Sequence, residues 1–261
     1  MIFDKLRIRR KIGALSKNMS INIYKKIGST NAQARQHAEY GRCGNAIFIA
    51  SEQTAGRGRL GRSFVSSKNK GLYLSILLNE ELPPEFAISL TTYMAVIASR
   101  AISSLSGAEP KIKWVNDLYL GGKKCAGILT EGKASESGNS LLYAVVGIGI
   151  NLLSQEFPEA VRSIATTVED ECGEKIDRYD LAALIVKEFF ENLHLVGSKE
   201  IAEEYKSRSF IIGERVTVIK PTEEYGATVK DITDKCELVL ILDDGEEQIL
   251  STGEVSLKLS R

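Results

Sequence analysis

The chain has 261 residues, 43% of them hydrophobic and 26% charged, and its 34 basic and 34 acidic side chains cancel to a formal net charge of zero. That balance suits a folded soluble protein. It excludes a disordered tail, a collagen-like chain, a disulfide-rich miniprotein and a protein that grips nucleic acid by bulk positive charge. The length suffices for a sizeable core, in one large domain or in a large and a small one.

The zero is a cancellation between segments. Residues 1–31 carry eight basic side chains against Asp4, a net of +7, and residues 211–261 carry six basic against eleven acidic, a net of −5. The basic start has no apolar run after it, so it is not a secretory signal, and it reads as a solvated, partly disordered arm. The longest apolar stretch, 141–153, contains Tyr143, two glycines and Asn151. It is too short to span a bilayer, so no membrane is expected. Cys43, Cys125, Cys172 and Cys236 make no C-x-x-C pair, and the histidines are His37 and His194. No metal site is expected, and the setting is a reducing cytoplasm.

In chain order, 24–27 reads as a short strand and 31–40 as a helix capped by Ser29 or Thr30. An apolar strand at 46–50 leads into a Gly- and Arg-rich loop, 53–61. A strand at 72–78 and a long helix at 84–105 follow. Residues 111–114 are extended, and 118–120 and 123–129 flank Gly121-Gly122, a two-residue hairpin turn. Residues 141–150 make a strand buried on both faces. Apolar positions 181, 184, 185, 189 and 193 give a helix over 180–195, and a second short helix runs to Arg208. After Phe210, short strands at 216–219, 227–232, 238–242, 248–250 and 255–259 predict a small β-barrel of SH3 type. The expected class is α+β, with a mixed-sheet domain flanked by helices over 1–210 and a small domain over 211–261.

Three motifs carry chemistry. In Gln53-Thr-Ala-Gly56-Arg57-Gly58-Arg59-Leu60-Gly61-Arg62, glycines allow close backbone approach and arginines offer planar forks for phosphate or carboxylate. The spacing is not that of a P-loop, and taken alone the segment reads equally as a solvated basic loop. In Lys113-Trp114-Val115-Asn116-Asp117, polar groups gather where a strand ends, and Lys124 follows a hairpin turn on an apolar strand. Turned inward, Lys124 needs an anionic partner; taken alone, Lys123 and Lys124 also read as an exposed pair at a hairpin tip. Finally, Gly147-Ile148-Gly149-Ile150-Asn151 ends the buried strand, where glycines weaken it unless something approaches the backbone or a bulge intervenes.

In this order the motifs resemble the biotin–protein ligases, from about residue 20 to the C-terminus. The matching pieces are Ser29-Thr30-Asn31, the Gly-Arg loop, Lys113 to Asp117, Lys124-Cys125-Ala126-Gly127-Ile128-Leu129, Gly147 to Asn151, and Gly253-Glu254-Val255-Ser256-Leu257. The resemblance implies two steps. Biotin and ATP give biotinyl-5′-adenylate and pyrophosphate, and a lysine of a biotin carboxyl carrier domain then takes the biotinyl group. By resemblance Ser29, Thr30, Asn31, Gln53, Arg57 and Gly58 hold the ureido ring, and Gly127, Gly147 and Gly149 face the apolar part. Lys124 and Arg59 lie near the carboxylate and α-phosphate, with Asp117 orienting or deprotonating the acceptor lysine. ATP meets Arg57, Arg59, Arg62, Lys113 and Asn116, with Phe64 and Asn151 on the adenine side, and Mg²⁺ accompanies it through phosphates and water. The loop 53–62 is expected to close over the intermediate.

Departures from the family pattern are Val115 for the usual proline, expected to leave the turn into Asn116 less fixed, Phe64 for a frequent tryptophan, and Lys258 for an arginine. About 28 residues precede Ser29, too few for the DNA-binding unit of some relatives, so no DNA is expected. Relatives often dimerise by pairing sheets, which leaves a homodimer open. The rival readings are a lipoate–protein ligase and, from another class, a non-catalytic nucleic-acid or anion-binding module.

Overall fold

The computed structural model describes residues 2–41, 44–220, 223–251 and 253–257. Cys43 and Lys258 lie outside the described residues. In chain order the elements are α1 (Ile2–Ile12), β1 (Met19–Tyr24), α2 (Thr30–Glu39), β2 (Asn45–Ala50), β3 (Gly71–Leu78) and α3 (Phe86–Ser106). They continue with β4 (Lys111–Lys113), β5 (Asp117–Leu120), β6 (Lys123–Ala134), β7 (Leu141–Asn151), α4 (Glu159–Arg162), α5 (Val168–Cys172), α6 (Arg178–Glu191) and α7 (Lys199–Arg208). The last are β8 (Arg215–Ile219), β9 (Glu224–Ile232), β10 (Leu238–Leu242), β11 (Glu247–Leu250) and β12 (Glu254–Leu257).

The first seven strands form one mixed sheet in the order β1-β2-β3-β7-β6-β5-β4, with β1 and β2 parallel and every other pair antiparallel. Side chains alternate across it. Leu72, Leu74, Ile76 and Leu78 of β3 and Ala144, Val146, Ile148 and Ile150 of β7 join the main core, which α1, α3, α6 and α7 share. Leu77 and Val145 point to the opposite face and pack with Ala34 of α2 in a smaller cluster. The remaining length of that second face carries the site. β7 is thus buried on both faces, as its apolar sequence predicts.

α3 is long and apolar enough to cross a membrane. Twelve of its 21 residues are buried, and Tyr93 packs edge-on against Phe189 of α6, so it is a core helix here. The last five strands form a separate antiparallel sheet in the order β11-β10-β9-β8-β12. Trp114 Nε1 ties the two parts by donating to the Cys236 carbonyl at 2.8 Å.

Three expectations are corrected. The basic start is not a solvated arm. It is the helix α1, with Ile8 and Ile12 buried one turn apart and Arg7 and Lys11 paired to Asp180 of α6 at 2.5 and 3.2 Å. The first strand is 19–24 rather than 24–27, because Met19 to Tyr24 align beside Asn45 to Ala50 while Ile27 makes only an isolated bridge to Gln53. The turn at Val115 is well held without proline. Tyr205 donates to the Val115 carbonyl at 3.0 Å, and Asn116 exchanges two hydrogen bonds with the Ile128 backbone at 2.8 and 2.9 Å.

Candidate active site

A single row of residues crosses the second face of the sheet. Tyr73 of β3 pairs with Gly149 of β7, Gly149 with Gly127 of β6, Gly127 with Asp117 of β5, and Asp117 with Lys113 of β4. In the next row Ser75, Gly147 and Leu129 are neighbours. Gly127, Gly147 and Gly149 therefore form one bare patch in the middle of the sheet. A Cβ on Gly147 would stand 2.0 Å from Asn31 Oδ1, and one on Gly149 would stand 2.4 Å from Phe64 Cε1. One on Gly127 would meet Lys124 Cε and Nζ at 3.2 Å. The glycines let the first turn of α2, the Phe64 ring and the Lys124 side chain come down onto the strands.

The patch floors a cleft lined by Ser29, Thr30, Asn31, Gln53, Arg57 and Phe64, with Leu129 and Ile148 completing it. One wall is polar and internally bonded. The Thr30 N–H donates to Gln53 Oε1 at 2.8 Å, Gln53 Nε2 to Ser66 Oγ at 3.0 Å, and the Ser66 hydroxyl to the Phe64 carbonyl at 3.1 Å. Asn31 Nδ2 donates to the Leu129 carbonyl at 3.1 Å and to Glu131 Oε2 at 2.8 Å. Glu131 Oε1 pairs with Arg35 Nη1 at 3.0 Å. Ser75 Oγ, fully buried, lies 2.6 Å from Asn31 Oδ1 and 2.7 Å from Thr30 Oγ1. Ser29 caps α2 by accepting from the Ala32 N–H at 3.4 Å, which leaves its hydroxyl a donor.

At the open end charges gather. Lys124 Nζ lies 2.6 Å from Asp117 Oδ1, the anionic partner its inward position requires. Arg59 Nη1 reaches Asn116 Oδ1 at 3.4 Å, and its Nη2 donates to the Gly253 carbonyl, just before β12, at 2.9 Å. The stretch after β7 clamps this end. Lys124 donates its N–H to the Ile164 carbonyl and accepts from the Thr166 N–H, at 2.8 and 3.0 Å. Asn151 Nδ2 donates to the Thr166 carbonyl at 3.1 Å, while Asn151 Oδ1 is buried with no hydrogen-bond partner among the described residues. Cys125 is no rival nucleophile, because burial pushes its thiol up to about 12 and keeps it neutral at physiological pH.

The structure thus brings nine expected residues into the cleft: Ser29, Thr30, Asn31, Gln53, Arg57, Phe64, Gly127, Gly147 and Gly149. It sets Lys124, Asp117, Asn116 and Arg59 together at the rim, and Lys113 at the end of their row. Gly58 closes the loop through its N–H to the Arg62 carbonyl at 2.7 Å, and Arg62 is exposed on that loop. Phe64, expected with Asn151 on the adenine side, lies over Gly149 and Gly127. Ser66, Ser75, Glu131, Arg35 and the 164–166 stretch were missed. One signal existed: Ser75 is the single serine within an otherwise apolar and aromatic strand.

Residues 27–151 match the Biotin/lipoate A/B protein ligase family, and residues 211–258 match the biotin protein ligase C-terminal domain. The Bifunctional ligase/repressor BirA of Bacillus spizizenii is 36% identical over 152 residues, covering 58% of this chain and only 47% of its own length. The biotin–[acetyl-CoA-carboxylase] ligase of Mycobacterium tuberculosis is 31% identical over 252 residues, covering 94% of this chain and 91% of its own. The structure of the Aquifex aeolicus biotin protein ligase in complex with biotin and ATP superposes with a TM-score of 0.77 at 29% identity, over 92% of this chain and 99% of that one. With its motifs on one face of a shared fold and the Mycobacterium tuberculosis and Aquifex aeolicus ligases matching nearly its full length, the chain belongs to the biotin/lipoate A/B protein ligase family, among its biotin protein ligases.

Proposed function

We propose that this chain joins biotin to ATP, giving biotinyl-5′-adenylate and pyrophosphate, and then transfers the biotinyl group to a lysine of a biotin carboxyl carrier domain. The observation that carries this reading is the bare glycine patch with a donor-and-acceptor wall on one side and cations at its open end. A fused apolar ring can lie on the patch, with its ureido group against Ser29, Thr30 and Gln53 and its carboxylate directed to Lys124 and Arg59. The wall supplies both hydrogen-bond roles that a buried ureido group needs.

In the first step the carboxylate oxygen bonds to the α-phosphorus and pyrophosphate leaves. The protein's share is positioning and charge. Lys124 and Arg59 hold the carboxylate beside the α-phosphate, and Arg57, Arg62, Lys113 and Asn116 meet the remaining phosphates. The buried Asn151 Oδ1, without a partner among the described residues, is an acceptor suited to the amino group of adenine. Mg²⁺ enters with ATP, held by phosphates and water. In the second step the neutral amine of the acceptor lysine attacks the anhydride carbonyl and AMP leaves. Phe64, now over the patch, has to move aside for the bound ring, which fits a loop 53–62 that opens and then closes over the adenylate.

This reading takes 1–210 as the catalytic domain and 211–261 as a small SH3-like barrel, supported by the inward residues Val216, Val218, Ala227, Val229, Leu238 and Leu240. It places the protein in the cytoplasm, acting on a carrier domain and not on DNA. The outer strand β1 is the edge through which a homodimer would pair. The test is acid-dependent ATP–pyrophosphate exchange. Exchange with biotin and none with lipoate is expected. Exchange with lipoate alone overturns the substrate, and none with either acid overturns the enzyme.

A further inference from the structure

We propose that Tyr205, acting through the Val115 carbonyl, is a positioning residue for Asn116 and Asp117, and through them for Arg59 and Lys124. This rests on the biotin reading above and names what holds the reacting end of that site in place.

The turn Trp114-Val115-Asn116 joins β4 to β5, and Lys113 pairs with Asp117 to close it. The residues at its far end face the site. Asn116 Oδ1 meets Arg59 Nη1 at 3.4 Å, and Asp117 Oδ1 lies 2.6 Å from Lys124 Nζ. A shift of this turn therefore moves the partners of both cations together. Displacement by about 1 Å at a reacting end can cost on the order of 10²-fold in rate.

The turn is held at three places. Trp114 Nε1 donates to the Cys236 carbonyl at 2.8 Å, and Asn116 exchanges hydrogen bonds with the Ile128 backbone. Between them, at the apex, the Tyr205 hydroxyl donates to the Val115 carbonyl at 3.0 Å. Valine has no ring to fix φ, so at the apex this hydrogen bond does what a proline at 115 would do covalently.

Tyr205 is suited to the task. It is fully buried, and burial pushes its phenol well above the usual value, so the hydroxyl stays a neutral donor. Its helix, α7, is pinned on either side of it. Glu204 accepts from Arg100 of α3 at 3.0 Å, and Lys206 pairs with Asp231 of β9 at 2.5 Å. The hydroxyl thus reaches the turn from a fixed base. Phenylalanine fills nearly the same space and removes only the hydrogen bond.

The test is a double-variant cycle in the full chain: Tyr205→Phe, Val115→Pro and the two together. Biotin-dependent pyrophosphate exchange is measured at a temperature where melts show every variant folded. Tyr205→Phe is expected to lower kcat by on the order of tenfold and to leave the KM for biotin within about twofold, because Ser29, Thr30 and Gln53 lie on other segments. Val115→Pro alone is expected to stay within about twofold of wild type. In its background Tyr205→Phe is expected to cost less than about threefold, since the ring then sets the turn. Val115→Gly, which frees the same turn with Tyr205 in place, carries the test if Tyr205→Phe does not fold, and is expected to show the same loss of kcat. An unchanged kcat in Tyr205→Phe or in Val115→Gly overturns the positioning role and leaves biotin as substrate. So does a loss from Tyr205→Phe that is equally large beside Val115→Pro, which would assign it to packing. No biotin-dependent exchange in wild type overturns the functional reading, and this proposal with it.

Discussion

Lys124 and Asp117 are a buried-edge ion pair, 2.6 Å apart, at the end of the glycine row. The pairing gives Asp117 two conceivable duties: holding Lys124 in place for the first step, or receiving a proton from the acceptor lysine in the second. The two steps can be measured apart. Lys124→Ala is expected to lower pyrophosphate exchange by on the order of 10²–10³, as for loss of one charge-stabilising donor. Asp117→Asn is expected to slow transfer from preformed biotinyl-5′-adenylate at least about tenfold more than it slows exchange, as for loss of a general base. A common factor on both steps would leave Asp117 with only the positioning of Lys124. Arg59 shares this end but is anchored differently. Its guanidinium bridges Asn116 and the Gly253 carbonyl, so it links the Gly-Arg loop to the second sheet.

β7 shows what an element contributes beyond its residues. Its two glycines look alike in sequence, yet they make room for different things. Asn31, over Gly147, is locked by hydrogen bonds to Leu129, Glu131 and Ser75. Phe64, over Gly149, is a ring two residues beyond the Gly-Arg loop, and on the proposed function it turns aside for the ligand. Gly147→Ala is therefore expected to cost about 1–3 kcal/mol of stability in a urea melt and to raise the KM for biotin, because locked atoms must give way. Gly149→Ala is expected to leave the melt within about 0.5 kcal/mol of wild type while still raising that KM. Equal melts for the two variants would mean that Asn31 is not locked. The Gly-x-Gly pattern was legible in the sequence, as were the strands around it, because apolar alternation and turn residues are local signals. What faced each glycine was not legible. Ser75 and Asn31 lie 44 positions apart, Asn31 and Glu131 100 apart, and only the sheet register brings them together. α1 was missed for the same reason. Its basic side chains find their acids about 170 positions on, in α6 and just before it.

Charge is also what joins the helices of the main core to one another, and this sets how the whole molecule should respond to acid. Glu204 of α7 sits between Arg100 of α3 and Arg208. It accepts from Arg100 Nε and from Arg208 Nε, each at 3.0 Å, and Arg208 also reaches Glu109 at 3.3 Å. Burial pushes the Glu204 carboxyl upward, but the hydrogen bonds from Arg100 and Arg208 outweigh it and hold the pKa below the ordinary value. A carboxylate that titrates lower when folded stabilises the fold at pH above its unfolded pKa, about 4.3, and that contribution drains away as pH falls through the lower folded value. Glu204→Gln is expected to lose about 1–2 kcal/mol at pH 7, a figure reduced for the partial exposure of the cluster. The deficit should hold from pH 7 to about 5 and shrink progressively below about 4, where the wild-type carboxyl is itself protonated. Thermal melts of both proteins across that range measure it. A deficit unchanged at the lowest pH would assign the loss to packing between α3 and α7 and remove charge from the account.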